Sequence, residues 1–201
     1  MKIIELDIPG AYHVIPERHT DSRGSFFEWY RFDLLSDALG HPFELAQANI
    51  SVSAKDVVRG VHFADTPPGQ AKYVSCFAGA VMDVVVDVRV GSPTFGQWST
   101  VRLDDEDRCA VYLSEGLGHA FCALTENATV MYLCSQTYAP RQEHTINPLD
   151  PKLAIGWPTP HPILSERDAA AQSLSEAAAA GVLPDFLPPP TIDLRDLDGR
   201  R

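Results

Sequence analysis

The sequence is poor in several features that define common classes of protein, beginning with cysteine. Its 201 residues contain only four cysteines, and no two of them form a Cys-x-x-Cys pair. Neither a disulfide scaffold nor a thiolate zinc site of the usual spacing is therefore expected. Three of the four lie inside apolar, strand-like segments, so we predict free buried thiols, which suit a reducing compartment. The four are Cys76, Cys109, Cys122 and Cys134.

Long hydrophobic stretches are missing as well. The longest apolar stretch of the strand-like region runs from Ala78 to Val86, and Asp83 interrupts it. A membrane-spanning helix needs about 20 apolar residues. Residues 1–7 also lack the apolar core and the cleavage site of a signal peptide. We therefore expect a cytoplasmic protein that does not enter a membrane.

Positive charge is scarce, with 16 Lys and Arg residues against 27 Asp and Glu residues and a net charge of −11. Such a charge repels the phosphates of nucleic acid, so no nucleic acid partner is expected. A small anionic ligand is still compatible with this balance, because a few clustered arginines are enough to bind it.

Motifs for the common nucleotide cofactors and for metals are also absent. The sequence contains neither a Gly-x-Gly-x-x-Gly helix start nor a P-loop. A metal site on a barrel strand would place two histidines as His-x-His, but His62 is followed by Phe63 and Ala64. Because a metal needs three or four converging ligands, we predict no metal site and no dinucleotide cofactor.

What the sequence does contain is a succession of β-strand patterns between residues 51 and 138. Segments rich in β-branched and aromatic residues alternate there with Gly, Pro, Asp and Asn, which is typical of a sandwich or a barrel. We predict a mainly β fold, a jelly-roll barrel with short flanking helices; a β-sandwich without a cavity is the alternative. The predicted strands are 57–63, 72–77, 80–90, 109–113, 120–124 and 129–135.

Two helices and a single domain complete the predicted architecture. Residues 31–40 have apolar side chains at helical spacing and end at a glycine. Residues 167–181 are rich in alanine, with Ser165 as the N-cap and a glycine as the stop. We expect one domain over residues 1–185 and a flexible, proline-rich tail over residues 186–201.

Polar side chains interrupt strands that are otherwise apolar. His62, Lys72, His119 and Tyr132 lie in separate strand-like segments. Each of them alone is better explained as a structural residue than as a functional one. Together they supply a base, a positive charge for an oxyanion and an acid.

These groups suit the removal of a proton next to a carbonyl group. An imidazole is mostly neutral at neutral pH, so His62 can accept the proton, and a carboxylate on its second nitrogen would hold its tautomer. Lys72 would stabilise the enolate oxygen, and Tyr132 would return the proton from the opposite face, which inverts the stereocentre. A bulge at Gly60 would bring Arg59 and His62 to one cavity. The spacing alone leaves open whether these residues meet.

Short motifs follow one another in a defined order over most of the chain, from Asp21 to Asp168. They are Asp21-x-Arg23-Gly24, Phe27-Glu28, Gln47-x-Asn49, Arg59-Gly60-Val61-His62-Phe63, Gln70-Ala71-Lys72, Gly91 to Trp98, Glu115-Gly116-x-Gly118-His119-Ala120-Phe121, Tyr132, Tyr138, Trp157-Pro158 and Leu164-Ser165-x-x-Asp168. Each motif alone is weak, but their order and spacing resemble those of the dTDP-4-dehydrorhamnose 3,5-epimerase family.

The resemblance implies a jelly-roll cupin, usually a homodimer, that works without a metal or a redox cofactor. It implies a dTDP-4-keto-6-deoxyhexose as the substrate. By analogy His62 is the general base and Asp168 its partner, Lys72 stabilises the enolate, and Tyr132 is the general acid. Further residues match positions of the family that contact the substrate, namely Arg23, Glu28, Gln47, Asn49, Arg59, His119, Glu143 and Arg167, with Tyr138 as the ring that stacks on thymine.

The sequence departs from the family pattern in three places. Ser114 replaces a common proline, and Ala48 stands where Asp is frequent. Residues 66–73 are more similar to the branch that makes deoxysugars for natural products, in which some members invert only C-3 or C-5. We therefore expect inversion at C-3, C-5 or both. The alternatives are a 3,4-ketoisomerase acting on the same substrate class and a non-catalytic cupin that binds a nucleotide sugar.

Overall fold

Antiparallel strands are the main regular structure of residues 1–187, the part of the chain that the computed structural model describes. Six strands form one sheet in the order β1-β2-β10-β7-β12-β5, and five form a second sheet in the order β13-β6-β11-β8-β9. The remaining two strands, β3 and β4, pair only with each other as a hairpin. The strand bounds are β1 (Lys2–Glu5), β2 (Ala11–Ile15), β3 (Arg18–Asp21), β4 (Gly24–Phe27), β5 (Gln47–Ser53), β6 (Val58–Ala64), β7 (Lys72–Ala78), β8 (Ala80–Asp87), β9 (Trp98–Asp104), β10 (Ala110–Leu113), β11 (Leu117–Ala123), β12 (Ala128–Cys134) and β13 (Glu143–Thr145).

The main core lies between the two large sheets. Val74 and Val130 of the six-stranded sheet belong to the same buried cluster as Val85 and Phe121 of the five-stranded sheet. Full burial of a side chain of this size contributes about 1.5–3 kcal/mol. The mainly β fold with short helices is thus confirmed, and the packing of two sheets holds any cavity between them in a fixed frame.

All six predicted strands are present, and the other seven strands, β5 and β9 among them, were not predicted. On β5, exposed and less exposed residues alternate, yet the inward face carries Gln47, Asn49, Ser51 and Ser53. Polar and apolar residues alternate strictly along β5, which is a strand signal, but the polar side chains face inward and Ala48, Ile50 and Val52 face outward. β9 lies at the edge of its sheet and carries an exposed arginine, which weakens the same signal.

The first predicted helix is confirmed with nearly the predicted bounds. It forms α1 (Phe32–Leu39), and the next residue, Gly40, has a φ of +75° and donates its backbone N–H to the carbonyl of Ser36. A left-handed glycine at this position is a common helix terminator because it has no Cβ to clash.

The prediction of one helix over residues 167–181 was wrong. The segment forms two short helices, α2 (Glu166–Ala169) and α3 (Leu174–Ala179). Ser165 caps the first of them as predicted. The break occurs because Ser173 starts a new helix with a full capping box, which offers the backbone an alternative to continuing the first helix.

The chain beyond α3 returns to the five-stranded side of the molecule. Asp185 forms a parallel bridge with Val90, and the backbone N–H of Phe186 donates to the Val90 carbonyl. The predicted tail over residues 186–201 lies outside the described residues except for its first two. All four cysteines are buried and free, as predicted. Within residues 1–187, every helix is too short or too polar to cross a membrane.

Candidate active site

A bulge in β6 turns His62 toward the space between the sheets. His119 of β11 pairs with His62, but Phe121 pairs with Arg59. One residue lies between the paired positions on β11 and two lie between them on β6, so β6 contains one extra residue. Gly60 within the bulge has a φ of +119°, and a Cβ there would lie 2.5 Å from the carbonyl oxygen of His119. Only glycine fits at this point. The extra residue places Arg59 and His62 on the same side of the strand, as the bulge prediction required.

The side chain of His62 forms a hydrogen bond with Asp168, which is 106 residues away in sequence. The distance from His62 Nε2 to Asp168 Oδ1 is 2.8 Å, and the Asp168 carboxylate belongs to α2 and is 3% exposed. Burial raises the pKa of Asp168, but the hydrogen bond and charge of His62, with bonds from Ser165 and from the Gly60 backbone, lower it below its usual value. An ionised Asp168 keeps the proton of the ring on Nε2, so Nδ1 is the nitrogen left to act as a base.

His62 is part of the wall of a cavity of about 410 Å3. The structure brings eight of the predicted site residues to this cavity. A second recess of about 340 Å3, on the other side of His62, contains Arg59, Arg167 and Asp168. The main cavity is lined by Gln47, Asn49, His62, Gln70, Lys72, Tyr132, Tyr138, Glu143 and Arg167.

The surroundings of Lys72 and Tyr132 shift the pKa values of both side chains. Burial lowers the pKa of Lys72, and the carboxylates of Glu143 and Asp83 oppose only part of that shift. Burial raises the pKa of Tyr132, and Cys134 and Glu143 act in the same direction. The phenol therefore keeps its proton at neutral pH and can donate it.

His119 occupies a different position from the other predicted residues. It is only 8% exposed and lies behind the open cavity, where its Nε2 is 2.7 Å from Asp83 Oδ2. The pair lies directly beside the first one, because His119 and His62 are partners on adjacent strands. Asp83 was not predicted as a site residue, although a carboxylate in the middle of an apolar strand is a signal for a buried polar partner.

Gln70 is the second residue that sequence reasoning missed. It lines the cavity two positions before Lys72, and its Nε2 donates to the carbonyl of Gln136 at 3.1 Å. Gln70 lies just before β7, and extending the period of two of that strand backward from Lys72 would have pointed to residue 70.

Two further predicted residues, Arg23 and Glu28, line neither this cavity nor the second recess. Arg23 lies at the tip of the exposed β3–β4 hairpin and pairs with Asp21 at 2.6 Å. Glu28 pairs with Arg31 at 3.2 Å. Both pairs are solvent-exposed, and exposed ion pairs are weak because water screens them.

The sequence and the fold both match a family of known proteins. The model of a family described as dTDP-4-dehydrorhamnose 3,5-epimerase matches residues 5–176. The chain belongs to this family. The members are isomerases of the carbohydrate epimerase type, and the chain is an enzyme of this type.

Similar proteins within this family differ in their described activity. The dTDP-4-dehydrorhamnose 3,5-epimerase of Mycolicibacterium smegmatis is 61% identical over 90% of this chain and 90% of its own length. The dTDP-4-dehydrorhamnose 3-epimerase of Streptomyces niveus is 57% identical over 92% of this chain and 90% of its own length. The crystal structure of a 3'-monoepimerase from Streptomyces bikiniensis in complex with dTDP-quinovose has a TM-score of 0.88, with 51% identity over 90% of this chain and 92% of that one.

Proposed function

We propose that the enzyme inverts C-3, C-5 or both of a dTDP-4-keto-6-deoxyhexose, with His62 as the base and Tyr132 as the acid. His62 takes the proton from the carbon next to the ketone, and the electron pair of that C–H bond moves into an enolate. Tyr132 then gives a proton to the same carbon from the other face. The enolate oxygen regains its carbonyl form, and the two protein groups exchange their protons with solvent.

The observation that carries this proposal is the placement of the base and the acid on opposite sheets. His62 belongs to β6 of the five-stranded sheet, and Tyr132 belongs to β12 of the six-stranded sheet. Both side chains line the same cavity. A planar enolate held between the sheets would present one face to each group, which is the arrangement that inversion requires.

Lys72 supports the enolate, and residues at the edge of the cavity support the nucleotide. Lys72 begins β7, beside the strand that carries Tyr132, so its ammonium reaches the same space. Arg59 and Arg167 provide positive charge for a diphosphate within an otherwise acidic protein. Tyr138 is exposed and lies at the cavity, where its ring can stack on a thymine base. The Streptomyces bikiniensis relative binds a dTDP-sugar, which supports the same ligand class here.

The test of this function is solvent exchange in heavy water with a dTDP-4-keto-6-deoxyhexose. We expect deuterium at C-3, C-5 or both, detected by NMR of the product. Tyr132→Phe should still exchange protons through His62 but should invert the carbon about 10²–10⁴ times more slowly, because only the acid is lost. The function is wrong if the unaltered enzyme exchanges neither position on several such substrates. Migration of the carbonyl between C-3 and C-4 would instead identify a ketoisomerase.

Exposed apolar surfaces support the further proposal that two copies of the protein pair. The β3–β4 hairpin lies outside both large sheets, and its Phe26 is 65% exposed. On the outer face of edge strand β5, Ile50 and Val52 are 68% and 56% exposed. Apolar side chains on an unpaired edge strand are a liability for a monomer, so a homodimer that covers them is part of the proposal. In this dimer Arg23 at the hairpin tip would enter the partner's cavity.

Mixed dimers test this arrangement directly. Arg23→Ala and His62→Asn are each expected to be impaired alone, and co-expression of the two should restore part of the activity. In the mixed dimer, the intact His62 of one protomer meets the intact Arg23 of the other, giving one complete site. If the hairpin serves its own chain, neither site of the mixed dimer is complete and no activity returns. Sedimentation should give twice the chain mass of 22.0 kDa, and a monomer at assay concentration would contradict the dimer.

The compartment belongs to the same proposal. Four buried free thiols suit a reducing environment, and we place the enzyme in the cytoplasm on that basis.

A further inference from the structure

A chain of hydrogen bonds runs along one wall of the cavity from Tyr138 to Cys134. The backbone N–H of Tyr138 donates to Gln47 Oε1 at 2.8 Å. Gln47 Nε2 donates to Asn49 Oδ1 at 2.8 Å, and Asn49 Nδ2 donates to Cys134 Sγ at 3.8 Å. This series of hydrogen bonds therefore connects Tyr138, whose ring is proposed to stack on the thymine, with the interior of the site.

The first hydrogen bond of this series fixes which atom donates and which accepts in each of the others. A backbone N–H can only donate, so the atom of Gln47 that faces Tyr138 must be its oxygen. The amide nitrogen of Gln47 then faces Asn49 and requires an oxygen there, which turns the amide nitrogen of Asn49 toward Cys134. The sulfur at the end of the chain is consequently an acceptor, and no rotation of an amide reverses this order.

Cys134 is the residue directly opposite Lys72. The two are partners in the antiparallel pairing of β12 with β7. Side chains of directly opposed residues have Cβ atoms about 4.5–5.5 Å apart and share one face of the sheet. Cys134 is 1% exposed, and burial raises the pKa of its thiol while Lys72 lowers it, with a net rise. A neutral, buried thiol thus lies beside the stem of Lys72.

Lys72 itself has few direct restraints. Among the described residues, no hydrogen bond or ion pair within ordinary distance involves its ammonium group, although Glu143 and Asp83 influence it electrostatically. A flexible four-carbon stem without a polar anchor is positioned by the side chains that pack against it. The opposed side chain on β12 is Cys134, and Asn49 holds that side chain in place.

We propose that Cys134 is a positioning residue that directs Lys72 toward the enolate oxygen, and that Gln47 and Asn49 hold Cys134 in register with the Tyr138 segment. This inference rests on the proposed role of Lys72 in the epimerase reaction. A displacement of about 1 Å in a charge that stabilises a transition state lowers the rate strongly. Losing the acceptor at position 134 also leaves the Asn49 N–H unsatisfied, which displaces the hydrogen-bonded side chains of Asn49 and Gln47.

The matched variants are Cys134→Thr and Cys134→Val, which have almost the same shape. Threonine keeps an acceptor for Asn49, whereas valine lacks one. We expect Cys134→Val to lower kcat for deuterium exchange about 10-fold with little change in KM, and Cys134→Thr to stay close to the original enzyme. The melting temperature of each variant shows whether it is folded.

A double-mutant cycle with Lys72→Met separates positioning from general damage. If Cys134 acts through Lys72, Cys134→Val should have no further effect on kcat once Lys72 is replaced. The same 10-fold loss in both backgrounds, equal losses in the Thr and Val variants, or an unchanged kcat in Cys134→Val would each overturn the inference. Absence of exchange in the unaltered enzyme would overturn the proposed function itself, which is a distinguishable result.

Discussion

His62→Asn lowers the rate of epimerisation about 10³-fold or more and removes the incorporation of deuterium from solvent. Asparagine retains an N–H that can bond to Asp168, but its amide cannot accept a proton from carbon. Tyr132 on the opposite sheet cannot replace the base, because burial keeps its phenol protonated. The measurement is NMR of deuterium incorporation under conditions where the unaltered enzyme reaches equilibrium.

Two further variants show whether the loss is chemical. Titration with dTDP should give the same affinity for His62→Asn as for the original enzyme, since the arginines and Tyr138 are unchanged. Asp168→Asn should be less severe, about 10–100-fold, because the imidazole remains but loses the charge that orients it and stabilises its protonated form. Retention of more than about a tenth of the original exchange rate in His62→Asn would exclude a general base at this position.

Gly60→Ala should lower the free energy of unfolding by about 3–5 kcal/mol and remove activity as well. At φ +119° a side chain is strained, and the added Cβ would lie 2.5 Å from the His119 carbonyl and 2.6 Å from Ala120 Cβ. Neither neighbour can move aside, since both belong to the central strand of the five-stranded sheet. Relief of the clash must therefore open the bulge and move His62.

Gly91→Ala is the matched control for this prediction. Gly91 also has a positive φ, of +85°, but a Cβ there would meet no atom within 4 Å. We expect Gly91→Ala to lower the free energy of unfolding by about 1 kcal/mol through backbone strain alone, as measured by denaturant unfolding, and to keep full activity. Equal costs for the two substitutions would mean that the close approach of β6 and β11 is not important.

The parts of the fold that the sequence predicts are those where a single periodicity dominates. The strands with continuous β-branched residues were found, whereas β5 was missed because the site occupies its inward face with Gln47 and Asn49. The alanine-rich segment 167–181 has a strong helical propensity throughout, yet the cap at Ser173 divides it. Local propensity cannot reveal this break, because a mid-segment serine is compatible with either outcome.

The candidate site was likewise predictable from the sequence only in part. His62, Lys72 and Tyr132 could be identified as unusual polar residues within strands, and their chemistry followed from their types. Asp168 could not be placed beside His62 from the residues alone, since 106 residues separate them, and only the family resemblance paired them. Arg23 and Glu28 were also assigned by resemblance, which carries no information about whether a residue serves its own chain or a neighbour.

His62 and Tyr132 lie on different sheets, so the distance between the sheets decides whether both can reach opposite faces of one carbon. Stacked sheets lie about 10 Å apart, a distance set by the side chains that fill the space between them. Val74, Val85, Phe121 and Val130 form that filling and contact no reacting atom in the proposed mechanism. These four side chains set the distance between the two sheets. A change in their volume would therefore change the distance between His62 and Tyr132, and with it the ability of both groups to reach the same carbon of the sugar.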